Sequence, residues 1–186
     1  AAVAAYDELL AGPLKAVEDA ARSIGGDVEK TTAVLCRAFR AERAVVETIA
    51  ACKKPAMPTL QKLLGPVGAE LQEAVKLTEG RRGDFFNHQK AVAESLVALS
   101  WVAYMGKDMG MSMPKAHVTE SWQSAEFYSN KILMQYRNVD KLHVDWVKGL
   151  KSLYTEALAQ YVHAHHATGP AWNAGGGDAA SFKPGG

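Results

Sequence analysis

The chain has 186 residues, is 48% hydrophobic and carries a formal charge of +1. That is enough apolar material for one domain with its own core, without disulfides or a structural metal. A near-zero balance provides no global field for nucleic acid or anionic membrane, so an electrostatic partner has to be met by a local patch.

Apolar residues recur at helical spacing almost throughout, and strand-like alternation is nearly absent, so the fold class is all-α. The first helix places Leu10, Leu14, Val17, Ala21 and Ile24 on one stripe, with a bend at Gly12-Pro13 and a stop at Gly25-Gly26. Asp27 reads as the cap of a second helix carrying Val28, Thr32, Leu35, Phe39, Val46 and Ile49, closed by Lys53-Lys54-Pro55. Thr59 reads as the cap of a third, with Leu60, Leu63, Leu64, Val67, Leu71 and Val75 turned inward and a kink at Pro66. After Gly80-Arg81-Arg82-Gly83, Asp84 reads as the cap of a fourth helix that buries Phe85, Val92, Leu96, Leu99 and Val102. The loop from Gly106 to Pro114 is expected to be the least ordered internal segment. A fifth helix from about Thr119 to Tyr136 and a sixth from Asp140 to about His166 complete six helices. Residues 1–169 are then one helical domain, and the Gly- and Ala-rich stretch 170–186 is expected to be a disordered linker toward sequence outside this chain.

Cys36 and Cys52 fall in one predicted helix, where a rise of ~1.5 Å per residue puts them too far apart to bridge. With no Asn-x-Ser/Thr acceptor, no apolar run near the ~20 residues a membrane span needs and no signal segment, the chain reads as cytosolic. Starting at Ala1 and ending in glycine, it is expected to be a piece of a longer protein.

Catalytic groupings find no support. No Glu-x-x-His occurs for a di-iron bundle, and no nucleophile elbow or phosphate loop is recognisable. His163, His165 and His166 read as partners of a helix C-terminus rather than metal ligands. Glu42 lies in an apolar stripe, where a structural ion pair with Arg40, Arg43 or a neighbouring helix is expected. Trp101, Trp122, Phe127, Tyr128, Tyr136, Trp146, Tyr154 and Tyr161 are expected in the core. Arg82, Asn87, His88 and Glu94 form a specific polar face on an otherwise amphipathic helix, which points to a surface read by a partner. Arg81 and Arg82 before that helix, with Lys90 one turn into it, read equally well as solvated charges. The chain is therefore expected to be an interaction domain and not an enzyme, with no cofactor and no metal.

Several segments together resemble one family. They are Asp7-x-Leu9-Leu10-Ala11-Gly12-Pro13, Ile24-Gly25-Gly26-Asp27-Val28, Glu42-Arg43-Ala44, Arg82-Gly83, Phe86-Asn87-His88, Ala91-Val92-x-Glu94-Ser95 and Trp101-Val102-Ala103. Further along come Ala125-x-Phe127-Tyr128-x-Asn130, the run Val139 to Val147 (without its fourth residue), and Thr168-Gly169-x-Ala171-Trp172. In this order and spacing they resemble the N-terminal helical domain of the adenylyl cyclase-associated proteins. The resemblance implies an antiparallel six-helix bundle that binds actin in the cytoplasm, associated with the cytoskeleton. It also implies cooperation with cofilin in filament severing and pointed-end depolymerisation, and it admits a homodimer. Adenylyl cyclase would be met only through a segment upstream of this chain. The matched polar positions are Arg82, Asn87, His88, Glu94, Asn130, Lys131, Asp140, Lys141 and His143, and they are the expected actin- or cofilin-binding residues. Lys131 stands where the family usually has arginine, and the segment from Met105 to Thr119 replaces a shorter Pro-Gly-Pro loop. The competing readings are an oligomerising scaffold without actin activity and a bundle that binds a small ligand or metal.

Overall fold

In the computed structural model, which describes residues 1–185, the chain is helical apart from its connections and C-terminal segment, and no β-strand occurs among the described residues. α1 (Ala2–Leu9) passes through a π-helical turn, Leu10–Leu14, into α2 (Lys15–Ile24). Pro13 lacks the N–H that a regular turn requires, and the widened turn takes it up without breaking the rod. Gly25 and Gly26, at φ 77° and 54°, then reverse the chain into α3 (Gly26–Ala51). α4 (Met57–Leu63) and α5 (Gly65–Leu77) follow, then α6 (Phe86–Leu96), extended by the 3₁₀ stretch Val97–Ala103. α7 (Pro114–Tyr136) packs along α6, and α8 (Lys141–Ser152) continues through a π-helical turn into α9 (Ala159–His165).

The expected third helix is interrupted at Leu64 instead of kinked at Pro66, so seven rods stand where six were expected. Pro66 sits in the first turn of α5, where its missing N–H costs nothing. The expected caps differ as well. Thr59 lies inside α4, Asp27 lies in the first turn of α3, and Asp84 precedes an α6 whose capping residue is Phe85, without a side-chain hydrogen bond. α7 starts at Pro114 rather than Thr119, shortening the expected loop, within which Lys107–Met109 form a 3₁₀ turn.

α3 packs against α1, α2, α5 and α6. Its ends and flanks are tied by polar contacts: Tyr6 donates to the Phe39 carbonyl at 2.5 Å, and the Trp146 indole donates to Thr32 at 3.0 Å. On the outside, Arg37 reaches Glu70 of α5, Arg40 reaches Glu18 of α2, and Arg43 holds Asp7 of α1 together with Glu47.

Glu42 has no ion pair. Arg40 and Arg43 point to the carboxylates just named, and both Glu42 oxygens are buried without a hydrogen bond. Burial raises its pKa well above the usual carboxylate value, an effect that the facing Trp101 indole only partly offsets. An isolated buried carboxylate is so costly that the neutral acid is the form this core accommodates.

The segment after Gly169 is not the free linker expected. The carbonyls at the end of α3 have no partners within the helix, and the tail supplies them. The Asn173 side chain donates to the Ala50 carbonyl, the Gly177 N–H to Ala51, and the Asn173 N–H to Cys52. The Lys53 N–H donates back to Gly177, closing a bridge between Cys52 and Gly177. A Cβ on Gly176 would collide with the Ala51 carbonyl, so only glycine permits this approach. His166, expected to serve the helix dipole, is buried and accepts from the Ala171 N–H at 3.0 Å, which leaves its Nε2–H for the Tyr161 oxygen.

Two outcomes follow. Glu42→Gln is expected to gain stability relative to the parent as pH rises above 4.5, by about 1.4 kcal/mol per pH unit over which only the unfolded parent ionises. The sign follows from the raised native pKa, which makes the parent most stable, in this contribution, below the unfolded value. Urea denaturation of both proteins between pH 4 and pH 8 checks it, and parallel curves would contradict it. Gly176→Val is expected to release the tail and speed thiol labelling of buried Cys52 by about tenfold or more, with the helical CD signal retained.

Candidate functional site

α6 and α7 lie side by side, and i, i+4 spacing sets an aromatic ring one turn before a cation on each: Phe86 and Lys90, Phe127 and Lys131. The Arg82 guanidinium covers the Phe86 ring at 4.1 Å. Phe86 meets Tyr128 edge-on at 6.5 Å, and Tyr128 meets Phe127 edge-on at 5.0 Å. The Lys131 ammonium sits 4.3 Å from the Phe127 ring centre, and Lys90 sits 5.6 Å from that of Tyr128. Each such contact contributes about 0.5–1 kcal/mol at an exposed site, so the ladder holds its cations in place more than it stabilises the fold.

Glu94 pairs with Lys90 at 3.7 Å. Arg82 and Lys131 have no carboxylate partner among the described residues and remain as two fixed, exposed positive charges. Asn130 is exposed next to Lys131, while Asn87 is half-buried next to Phe86.

The expected site is therefore divided. Arg82, Lys131 and, through Lys90, Glu94 share one face. His88 and His143, expected on the surface, are buried at 1% and 5% exposure. They face each other, Nε2 of His88 to Nδ1 of His143, at 2.9 Å, walled by Phe85, Tyr136 and Trp146. The reason is positional: Asn87 and His88 are one residue, or about 100° of helix, apart, and Arg82 lies before α6, so the three cannot share an outward face. Asp140 stands 3.8 Å from Nε2 of His143. A proton on that nitrogen faces the carboxylate, Nδ1 of His143 then accepts, and His88 donates through Nε2. Nδ1 of His88 is left buried and unpartnered.

Asp140 also caps α8, accepting from the Leu142 N–H at 2.9 Å, with Lys141 exposed beside it. Its role is thus to fix the α7–α8 corner. Phe127, expected in the core, is 59% exposed. Phe127 and Tyr128 were missed as surface features because an aromatic at helical spacing normally reads as core, and Phe86 was noted only as part of a matched segment. The signal that identifies them is an aromatic followed four residues later by a cation, repeated on two helices. Among the described residues, no three His, Cys, Asp or Glu side chains converge as metal ligands, and no helix is long and apolar enough to cross a membrane.

Burial lowers the pKa of His88 to about 3, with the neighbouring His143 adding to the effect. A depressed histidine contributes stability that is present above its unfolded value of 6.5 and is lost as pH falls toward the native value. His88→Gln is therefore expected to flatten the stability profile between pH 6.5 and pH 4, at a cost of about 1–3 kcal/mol near neutral pH. Thermal melts across that range check it, and an unchanged slope would contradict the buried pair.

The sequence model of the CAP N-terminal domain matches residues 6–169. The chain is 46% identical to cyclase-associated protein 1 of Arabidopsis thaliana over 94% of this chain and 37% of that protein. It is 42% identical to adenylyl cyclase-associated protein 1 of Bos taurus over 92% of this chain and 35% of that protein. It thus spans little more than a third of these relatives. Among solved structures it resembles the N-terminal domain of CAP from Dictyostelium discoideum, with TM-score 0.88 and 32% identity over 97% of this chain and 99% of that one. A crystal structure of a CAP N-terminal domain that indicates variable oligomerisation superposes with TM-score 0.89 and 32% identity, covering 98% of this chain and 96% of that one. The chain belongs to the CAP N-terminal domain family.

Proposed function

We propose that this domain binds actin in the cytoplasm and promotes filament turnover together with cofilin. The observation that carries the reading is the cation–aromatic ladder, where Arg82 and Lys131 are exposed, fixed and without carboxylate partners. Cations held over aromatic rings, Lys131 on α7 and Arg82 just ahead of α6, are suited to acidic groups of a protein partner, and aromatic backing lowers the entropy lost on docking.

The contact set is Arg82, Asn87, Glu94, Asn130, Lys131 and Lys141. His88 and His143 act from within, holding α6 against α8, and Asp140 fixes the neighbouring corner. To promote subunit loss, the face has to favour the filament-end conformation of cofilin-decorated actin, because equal affinity for all conformations shifts no equilibrium. No step of covalent chemistry is required, consistent with a regulator rather than an enzyme. Adenylyl cyclase is assigned to sequence outside this domain.

A scaffold reading has one specific support, the variable oligomerisation indicated for a related domain. It predicts self-association without any effect on filaments.

Subunit loss from single filaments, followed by microscopy with cofilin alone, the domain alone and both, separates the two. Acceleration beyond cofilin alone is expected. The double variant Arg82→Ala, Lys131→Ala is expected to need about tenfold more protein for the same effect. Full activity in that variant would remove the ladder from the mechanism, and no acceleration by the parent would leave the scaffold reading.

A further inference from the structure

Phe127 is the one aromatic side chain that stands exposed among the described residues, with 59% of its surface accessible. Nothing in the fold requires a phenyl ring there. Apart from Met134 the rest of its face is polar, its neighbour Tyr128 is half-buried, and the core beneath α7 is filled by Trp122, Ala125, Ser129 and Ile132. An exposed ring of this size leaves apolar surface in water at ~25 cal/mol per Å², a cost that a partner's pocket would recover.

The ring is also held in place. Tyr128 packs against it edge-on at 5.0 Å, and Lys131, one turn on, covers it at 4.3 Å. Met134, 77% exposed, continues the same α7 stripe at i+7. An aromatic with few rotamers, fixed by neighbours and covered by the unpaired Lys131, with Arg82 further along the same ladder, has the attributes of an interface anchor: large area, low ordering cost and a charged neighbour.

We infer that Phe127 is the anchor of the partner interface, inserting into an apolar pocket rimmed by carboxylates on the filament subunit, while Lys131 and Arg82 engage that rim. This rests on the actin reading given above and specifies the chemistry of the partner's side. Charge selects the occupant. A second copy of this chain paired through this ladder would bring together two faces that each carry Arg82 and Lys131 without carboxylate partners, and such repulsion disfavours self-pairing there. A carboxylate-rimmed pocket is complementary to it.

The test uses binding of the domain to cofilin-decorated filaments by co-sedimentation, with Phe127→Ala, Phe127→Trp and Lys131→Gln. Phe127 is exposed, so Phe127→Ala is expected to melt close to the parent while binding about tenfold or more weakly. Phe127→Trp is expected to restore most of the affinity. Lys131→Gln is expected to reduce the salt dependence of binding, which Phe127→Ala leaves largely unchanged. Parent-like binding by Phe127→Ala, alongside loss in the Arg82→Ala, Lys131→Ala variant, would overturn the anchor and leave the actin reading standing. Absence of binding by the parent would overturn both. Sedimentation equilibrium on the same variants reports the other occupant: if Phe127→Ala abolishes self-association and spares filament binding, the ring belongs to a homotypic interface and the inference is wrong.

Discussion

α3 is enclosed by four neighbouring helices and by the returning tail, and the polar groups trapped by that enclosure determine much of the remaining architecture. A buried helix can hide its apolar face at no cost, but its end carbonyls and any polar side chain on that face need partners. Tyr6 binds the Phe39 carbonyl, Trp146 binds Thr32, and Asn173 with Gly177 completes the C-terminal end. Glu42 remains the exception. Its carboxyl has no hydrogen bond, so the core holds it as a neutral acid whose ionisation would destabilise the native state.

The interior also sets the surface. The His88–His143 pair, stacked against Tyr136 and Phe85, fixes α6 relative to α7 and α8. That register brings Phe86 next to Tyr128 and so joins Arg82, just ahead of α6, to Lys131 on α7. The buried histidines thus position the face from within and are not part of its exposed surface. Asp140 links the two levels, since it approaches His143 and at the same time caps α8 beneath exposed Lys141.

The all-helical class and most of the core were legible from apolar periodicity, because burial of Leu14, Leu35, Val92, Leu96 and their neighbours follows directly from helical spacing. Caps at Thr59, Asp27 and Asp84 were misplaced, since the helix starts depend on Pro58, Gly25 and tertiary packing more than on a local acceptor. The tail looked like a linker because its composition offers little to bury, whereas its order comes from backbone groups answering unsatisfied carbonyls on α3, a relation that composition does not record. The site was half legible. Arg82 and Lys131 were found as polar positions in matched segments, but segment matching does not distinguish a buried histidine pair from an exposed one. Phe127 was assigned to the core for the same reason that correctly placed Trp101 and Trp146 there.

Hydroxyl-radical footprinting of the domain, free and bound to cofilin-decorated filaments, tests the central claim most directly, because aromatic and methionine side chains report their own solvent access. Protection of Phe86, Phe127 and Met134, with Trp172 of the C-terminal tail unchanged, is the expected pattern. Protection confined to other faces, with Phe127 as reactive as in the free domain, would contradict it.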